Sequence, residues 1–206
     1  MSPQTGLSPR VTPRQHRAQA TLDRLLDKAA ELLTERGLEG FNTNLLAERA
    51  QVRVSTVYRY FPNKHAVLAA LSERFFEAER DWLGNFDALA RATDWRQALR
   101  ETLAHYAERS DAYPAVTALR RASRASAELQ ALEMRSNEAL AKLLAGALRA
   151  RGKNLSAQAS LHLARTTIEV ACHLTDVSRS LPPRARNSQR SGLADMLERF
   201  LAPELD

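Results

Sequence analysis

Between Thr43 and Lys64 the chain reads TNLLAERAQVRVSTVYRYFPNK. This short stretch brings together Asn44, Arg53, Ser55, Thr56, Tyr58, Arg59 and Lys64. Their hydroxyls, amide and cationic groups donate hydrogen bonds to base edges and phosphate oxygens. They follow none of the patterns that carry catalysis. The chain has no phosphate-binding glycine loop, no nucleophile elbow and no paired-histidine motif.

The apolar residues between them say how such groups would be presented. Two short helices joined by a tight turn need an apolar and a small residue on the first helix, a plug in the turn and an anchor on the second. Leu46 and Ala47 fill the first role, Val52 is the plug and Val57 the anchor. A side chain larger than Ala47 would push the helices apart. The second helix runs from about Val54 to Tyr60, and Pro62 bars its continuation. Its outward face carries Ser55, Thr56, Arg59 and Tyr58. The candidate DNA-binding set is therefore Thr43, Asn44, Arg53, Val54, Ser55, Thr56, Tyr58, Arg59, Tyr60 and Lys64. Thr43 is expected to cap the first of the two helices, and Asn63 the helix that starts at Lys64. A cation in that first turn opposes the helix dipole, which makes sense if Lys64 and the nearby N–H groups face a phosphate.

The stretch from Gly37 to Leu68 resembles the DNA-binding domain of the TetR family of bacterial transcriptional regulators. Gly37, Phe41, Thr43, Leu46, Ala47, Ala50, Val52, Thr56, Val57, Tyr58, Tyr60, Phe61, Asn63, Lys64 and Val67 stand where that family's pattern has matching residues. Two positions depart from it. Gln51 replaces the turn glycine and Arg53 replaces a serine. The glycine permits a positive φ, so Gln51 would be strained by about 1 kcal/mol. Arg53 reads either as a solvated turn residue or as a phosphate contact. The resemblance implies an all-α regulator with an N-terminal three-helix DNA-binding domain and a C-terminal helical domain for ligand binding and dimerisation. It further implies a repressor released by an effector that alters the spacing of two recognition helices.

Composition agrees. Formal net charge is +6, and residues 1–64 hold 10 Lys+Arg against 6 Asp+Glu, so +4 lies in the first third. A basic excess beside the helix-turn-helix suits a polyanionic partner. Aromatic residues make up 6% and only 7 glycines occur, which fits a helical protein with Leu and Ala cores. Residues 1–12 form a polar, basic arm ahead of a capping box at Thr12-Pro13-Arg14-Gln15. With Arg10, Arg14 and Arg17 the arm reads either as a minor-groove or phosphate contact or as a frayed tail. The N-terminus lacks a signal peptide's apolar core, and no run of 18 apolar residues marks a membrane span. The single cysteine, Cys172, rules out an intrachain disulfide and suits a reducing cytoplasm.

The expected organisation is the arm, a DNA-binding domain over 13–64, a connecting helix over 64–83 and a regulatory domain over 65–206. Leu22, Leu25, Leu26, Ala29, Leu32 and Leu33 stripe the first helix, which Gly37 ends. Val67, Leu68, Leu71, Phe75 and Trp82 face inward on the connecting helix. Gly84-Asn85 and Tyr113-Pro114 are breaks on either side of a helix from Trp95 to Ser110. A short helix follows, then a long one over Ala125 to Arg151, stopped by Gly152. Residues 156–180 carry two apolar stripes on opposite faces. One is Leu161, Ala164, Ile168, Ala171 and Thr175; the other is Leu163, Thr167, Val170, Leu174 and Val177. A helix apolar on two sides needs two partners, its own core and either a second subunit or more of the same chain. Residues 182–187 read as a polar linker that breaks the helix before a last amphipathic helix. The resemblance implies a four-helix dimer interface, for which Leu161, Ala164, Ile168, Ala171 and Thr175 with Leu193, Met196, Leu197 and Phe200 are the candidates.

Candidate effector-pocket residues are Trp82, Trp95, His105, Tyr106, Tyr113, His162 and Cys172, aromatic or polar groups on otherwise apolar helices. His162, Cys172 and His173 do not form a metal set, because adjacent helical residues diverge by about 100°. No cofactor is expected. The expected partners are a double-stranded DNA operator, a second copy of the chain and a small-molecule effector, with no membrane. The competing class is a helical protein-interaction module, which would need neither the basic helix-turn-helix nor Lys64 at a helix start.

Overall fold

The computed structural model describes residues 16–83, 86–113, 115–152 and 154–206, all helices and turns. The expected arm, the capping box at 12–15, the Gly84-Asn85 break and Pro114 lie outside them. The helices are α1 (His16–Gly40), α2 (Thr43–Arg49), α3 (Val54–Tyr60), α4 (Lys64–Leu83), α5 (Asp87–Arg91), α6 (Trp95–Ala112), α7 (Val116–Ala125), α8 (Ala127–Arg151), α9 (Ala157–Ser178) and α10 (Pro183–Leu205).

They form two compact units. One holds the described residues up to Phe76 together with Tyr113–Glu133; the other holds Glu77–Ala112 and Met134–Asp206. The first is larger than the expected 13–64 segment. The apolar face of early α4 (Val67, Leu68, Leu71 and Phe75) is fully buried and must be covered. The Tyr113 ring packs tilted against Phe75, with ring centroids 4.9 Å apart and planes at 59°. The Arg120 guanidinium lies over the rings of Phe75 and Phe76 and pairs with Glu133 at 2.6 Å. The α7 segment thereby belongs to the first core. Its entry residue Ala115 takes φ 62° and donates its N–H to Thr34 Oγ1 on α1 at 3.0 Å.

In α1, Leu25, Leu26, Ala29, Leu32 and Leu33 are buried as the spacing predicts, while Leu22 stays half-buried. Gly37 leaves helical geometry with φ 66°, ψ −174°, so the long first helix breaks there as expected, and a separate turn across the kink carries α1 on to Gly40. The N-cap of α2 is Asn42, whose side chain accepts from the Leu45 N–H at 2.9 Å. Thr43 is therefore the first helical residue and not the cap. Asn63 does cap α4, accepting from the Ala66 N–H at 2.9 Å.

In the second unit α6, α8, α9 and α10 pack Leu99, Tyr106, Leu144, Leu148, Ile168 and Leu197 into one core. The 182–187 stretch is not a linker. Pro182 is the N-cap of α10 and Pro183 its first residue, a position where the fixed φ suits a helix and the missing N–H has no intrahelical partner to lose. Ser156 caps α9 through its hydroxyl, which accepts from the Ala159 N–H at 3.1 Å.

Candidate nucleic-acid interface

The interface is built from the turn outward. Leu46, Ala47 and Val57 are buried, and Val52 is half-buried beside them. Full burial of Leu46 and Val57 stabilises the pair by about 1.5–3 kcal/mol each. The chain leaves α2 through a Schellman motif. The Gln51 N–H donates to Glu48 O at 3.0 Å and the Val52 N–H to Ala47 O at 3.0 Å. The motif requires a left-handed residue, and Gln51 takes that role with φ 54°. The departure from glycine was legible in the sequence, and the backbone has not rearranged to avoid it.

Arg53 precedes α3 and provides no side-chain cap. Val54, Ser55, Tyr58 and Arg59 of α3 are exposed while Val57 faces the core; Thr56 is half-buried. Asn44, Arg53 and Lys64 are also exposed. Two of the expected contacts are not available to DNA. Thr43 is buried, and its Oγ1 shares a 3.2 Å hydrogen bond with Tyr58 Oη. It therefore orients Tyr58 instead of reaching out itself. Tyr60 is also buried; its hydroxyl donates to Ala18 O on α1 at 3.2 Å and accepts from Arg59 Nη2 at 3.3 Å. The Arg59 guanidinium lies 5.1 Å from the Tyr60 ring centroid. Thr43 and Tyr60 thus position the exposed Tyr58 and Arg59.

On the far side of α2, Arg49 grips Glu35 of α1 with two hydrogen bonds of 3.0 and 2.7 Å. The guanidinium holds the Glu35 carboxyl below the usual carboxylate range. Arg49 is thereby engaged within the unit, whereas Arg53, Arg59 and Lys64 are the cations displayed around α3.

The expected pocket residues do not converge on one cavity. His105 and His162 are exposed, as is His173. Trp95 is buried and donates its Nε1–H to Asp206 at 3.1 Å, while Trp82 is half-buried with Arg109 5.8 Å from its ring centroid. Tyr113 belongs to the first unit. Tyr106 and Cys172 do meet, at a residue that the sequence reading missed. Glu79 of α4 is fully buried, accepts from Tyr106 Oη at 2.7 Å, and has Cys172 Sγ 4.0 Å from the same carboxylate oxygen. Its signal was present, an acid four residues after Phe75 in the inward stripe of α4. Among the described residues no group of three His, Cys, Asp or Glu side chains could hold a metal, and no helix is long and apolar enough to cross a membrane.

The dimer candidates need a correction. Ala164, Ile168, Ala171, Thr175, Leu193 and Leu197 are buried in the core of their own unit, and Leu161 and Phe200 pack partly against it. Only Met196 of that set is exposed. The stripe at Ala164 is the helix's inner face. The other stripe holds the buried Thr167, the half-buried Leu163, Val170 and Leu174, which pack partly against the same core, and the exposed Val177.

Residues 25–71 match the bacterial regulatory proteins of the tetR family, and residues 94–201 match the tetracyclin repressor-like C-terminal domain, more than half of the chain. The chain belongs to the TetR family of bacterial transcriptional regulators. A TetR-family transcriptional regulator from Streptomyces coelicolor is 26% identical, with TM-score 0.70, covering 92% of this chain and 100% of that one. A TetR transcription regulator from Haloarcula marismortui shares the fold at 13% identity and TM-score 0.70, over 91% of this chain and 100% of that one. The transcriptional repressor KstR of Rhodococcus jostii is 43% identical over 53 residues, 25% of each chain. The class D tetracycline repressor of Escherichia coli is 30% identical over 83 residues, 40% of this chain and 36% of that protein. The match thus spans about a quarter to a third of these curated relatives. Helices α2 and α3 lie within the matched residues 25–71.

Proposed function

We propose that this protein is a transcriptional repressor of the cytoplasm, with no enzymatic activity. It binds a pseudo-palindromic double-stranded DNA operator as a homodimer and leaves it when a small-molecule effector occupies the second unit. The observation that carries this reading is α3. Its apolar anchor, Val57, is buried, while Ser55, Tyr58 and Arg59 face outward, Tyr58 and Arg59 each hydrogen-bonded to a buried partner. The names of the KstR and tetracycline-repressor relatives support repression.

One helix-turn-helix reads few base pairs, so discrimination calls for two copies on successive major grooves. The outer stripe of α9, with the half-buried Leu163, Val170 and Leu174 and the exposed Val177, and the exposed Met196 on α10 supply the second subunit's seat. The effector releases DNA by preferring a state whose recognition-helix spacing is wrong, with α4 as the helix that changes position.

Salt tests the DNA half of this reading. Affinity for duplex DNA is expected to fall linearly with salt on logarithmic axes, and Lys64→Ala to reduce that slope by about 1 while weakening all sequences alike. Thr56→Ala and Arg59→Ala instead alter base preference. Salt-independent capture of duplex DNA, or loss at a single base from Lys64→Ala, would contradict the assignment.

A further inference from the structure

We propose that the groove between α6 and α10 is a binding site for an elongated amphipathic molecule with an anionic head. Calling this molecule the effector rests on the regulator reading above; the site itself does not.

The groove has a volume of about 750 Å³, within the range of small-molecule pockets. Leu103, Ala104 and Ala107 line it from α6, and Ser191, Leu193 and Ala194 from α10. On α6 these positions fall on one face with Arg100 and Asp111, following helical spacing. Large apolar side chains there would interdigitate and close the space. Alanine and serine leave it open with an apolar floor.

An ion-pair cluster stands at each end. Arg100 pairs with Asp195 at 2.6 Å and Glu198 at 2.5 Å. Arg190 grips both oxygens of Asp111 at 2.9 and 2.8 Å. The two ends lie about 16 Å apart along α6, at 1.5 Å per residue. Their charge balance differs. At the first, one guanidinium faces two carboxylates. At the second, Arg179 sits 3.1 Å and Arg186 3.9 Å from Asp111 beside Arg190. Asp176, also on Arg179, is the other acid there. Three guanidiniums thus meet two carboxylates. Glu108 also borders the groove, but it is exposed and its field is screened by solvent ions.

An anionic head is therefore drawn to the Arg190 end and repelled from the Arg100 end, with its apolar tail along the floor. A carboxylate can replace Asp111 on Arg190 in the same two-point geometry. The occupant the groove fits is a long-chain carboxylate or an apolar acid of similar length.

The test uses the full chain and three probes of equal length below their micellar concentrations: dodecanoate, dodecyltrimethylammonium and dodecanol. Calorimetry is expected to show dodecanoate binding at one site per chain, at least tenfold tighter than the cation or the alcohol. Ala104→Trp and Ser191→Trp, both at exposed positions facing the groove, fill it without removing a charged side chain. Each is expected to weaken dodecanoate at least tenfold while the melting temperature and DNA affinity hold. Equal binding of all three probes, no binding of dodecanoate, or binding that survives both tryptophans would overturn the site. DNA capture is measured alongside. Dodecanoate binding by a protein that ignores DNA would uphold the groove and sink the regulator reading; the reverse result would sink the groove alone.

Discussion

Gln51 offers the sharpest test of the local physics. Its φ of 54° places an L side chain in the left-handed region, which costs about 1–2 kcal/mol relative to ordinary backbone. Glycine at this position releases that strain. It also gives the unfolded chain more freedom, which offsets about 0.5–1 kcal/mol of the gain. The Gln51 side chain is exposed, and both hydrogen bonds of the turn use backbone groups, so no contact is lost. The net is a stabilisation of about 0.5–1 kcal/mol, or a rise of about 1–4 °C in melting temperature for a chain of this size. Gln51→Val is the opposing control. A β-branched residue fits the left-handed region worse than Gln, so its melting temperature is expected to fall. Both are read by circular dichroism melts at one fixed protein concentration, because the proposed dimerisation would make the midpoint concentration-dependent. A fall for Gln51→Gly, or no change for Gln51→Val, would refute the strain argument.

Three further outcomes follow from the corrected site. Thr43→Val keeps the shape of a buried residue but removes the partner of Tyr58; DNA affinity is expected to weaken several-fold with the fold intact, and unchanged binding would show that Tyr58 needs no orientation. Tyr60→Phe removes the hydrogen bonds to Ala18 and from Arg59 while keeping the ring beside the guanidinium; it is expected to lower stability by about 1 kcal/mol and to weaken DNA affinity several-fold, and unchanged affinity would show that the Tyr60 hydroxyl does not position Arg59. Val177→Glu and Met196→Glu place charges on the exposed apolar face and are expected to yield folded monomers in sedimentation, while Ile168→Glu, inside the core, is expected to unfold the chain. Folded dimers from both surface variants would move the interface elsewhere.

The sequence was most legible where one residue type has one job. The bounds of α3, α4 and α6 followed from Pro62, Asn63 and the apolar spacing, and Gln51's positive φ from the glycine it replaces. The N-cap was misplaced by one residue because Asn42 and Thr43 are both good caps, and only the backbone decides which of two neighbours leaves the helix. Pro182-Pro183 was read as a break, although proline is also a favoured first helical residue. Both stripes of α9 are apolar, so the sequence pointed to two apolar faces but not to which one the chain buries itself. Of the pocket candidates, Tyr106 and Cys172 were brought together by Glu79, whose place in an apolar stripe was the available clue. The α6–α10 groove left no such mark, since alanines signal space only when the facing helix is known.

The central claim is that α3 reads an operator as one of a symmetric pair. Selection of bound duplexes from a random DNA library at near-physiological salt, followed by sequencing, tests it most directly. The account predicts enrichment of a two-fold symmetric motif with half-sites about one helical turn apart. A folded protein that enriches no sequence, or enriches a single unpaired half-site, would contradict it.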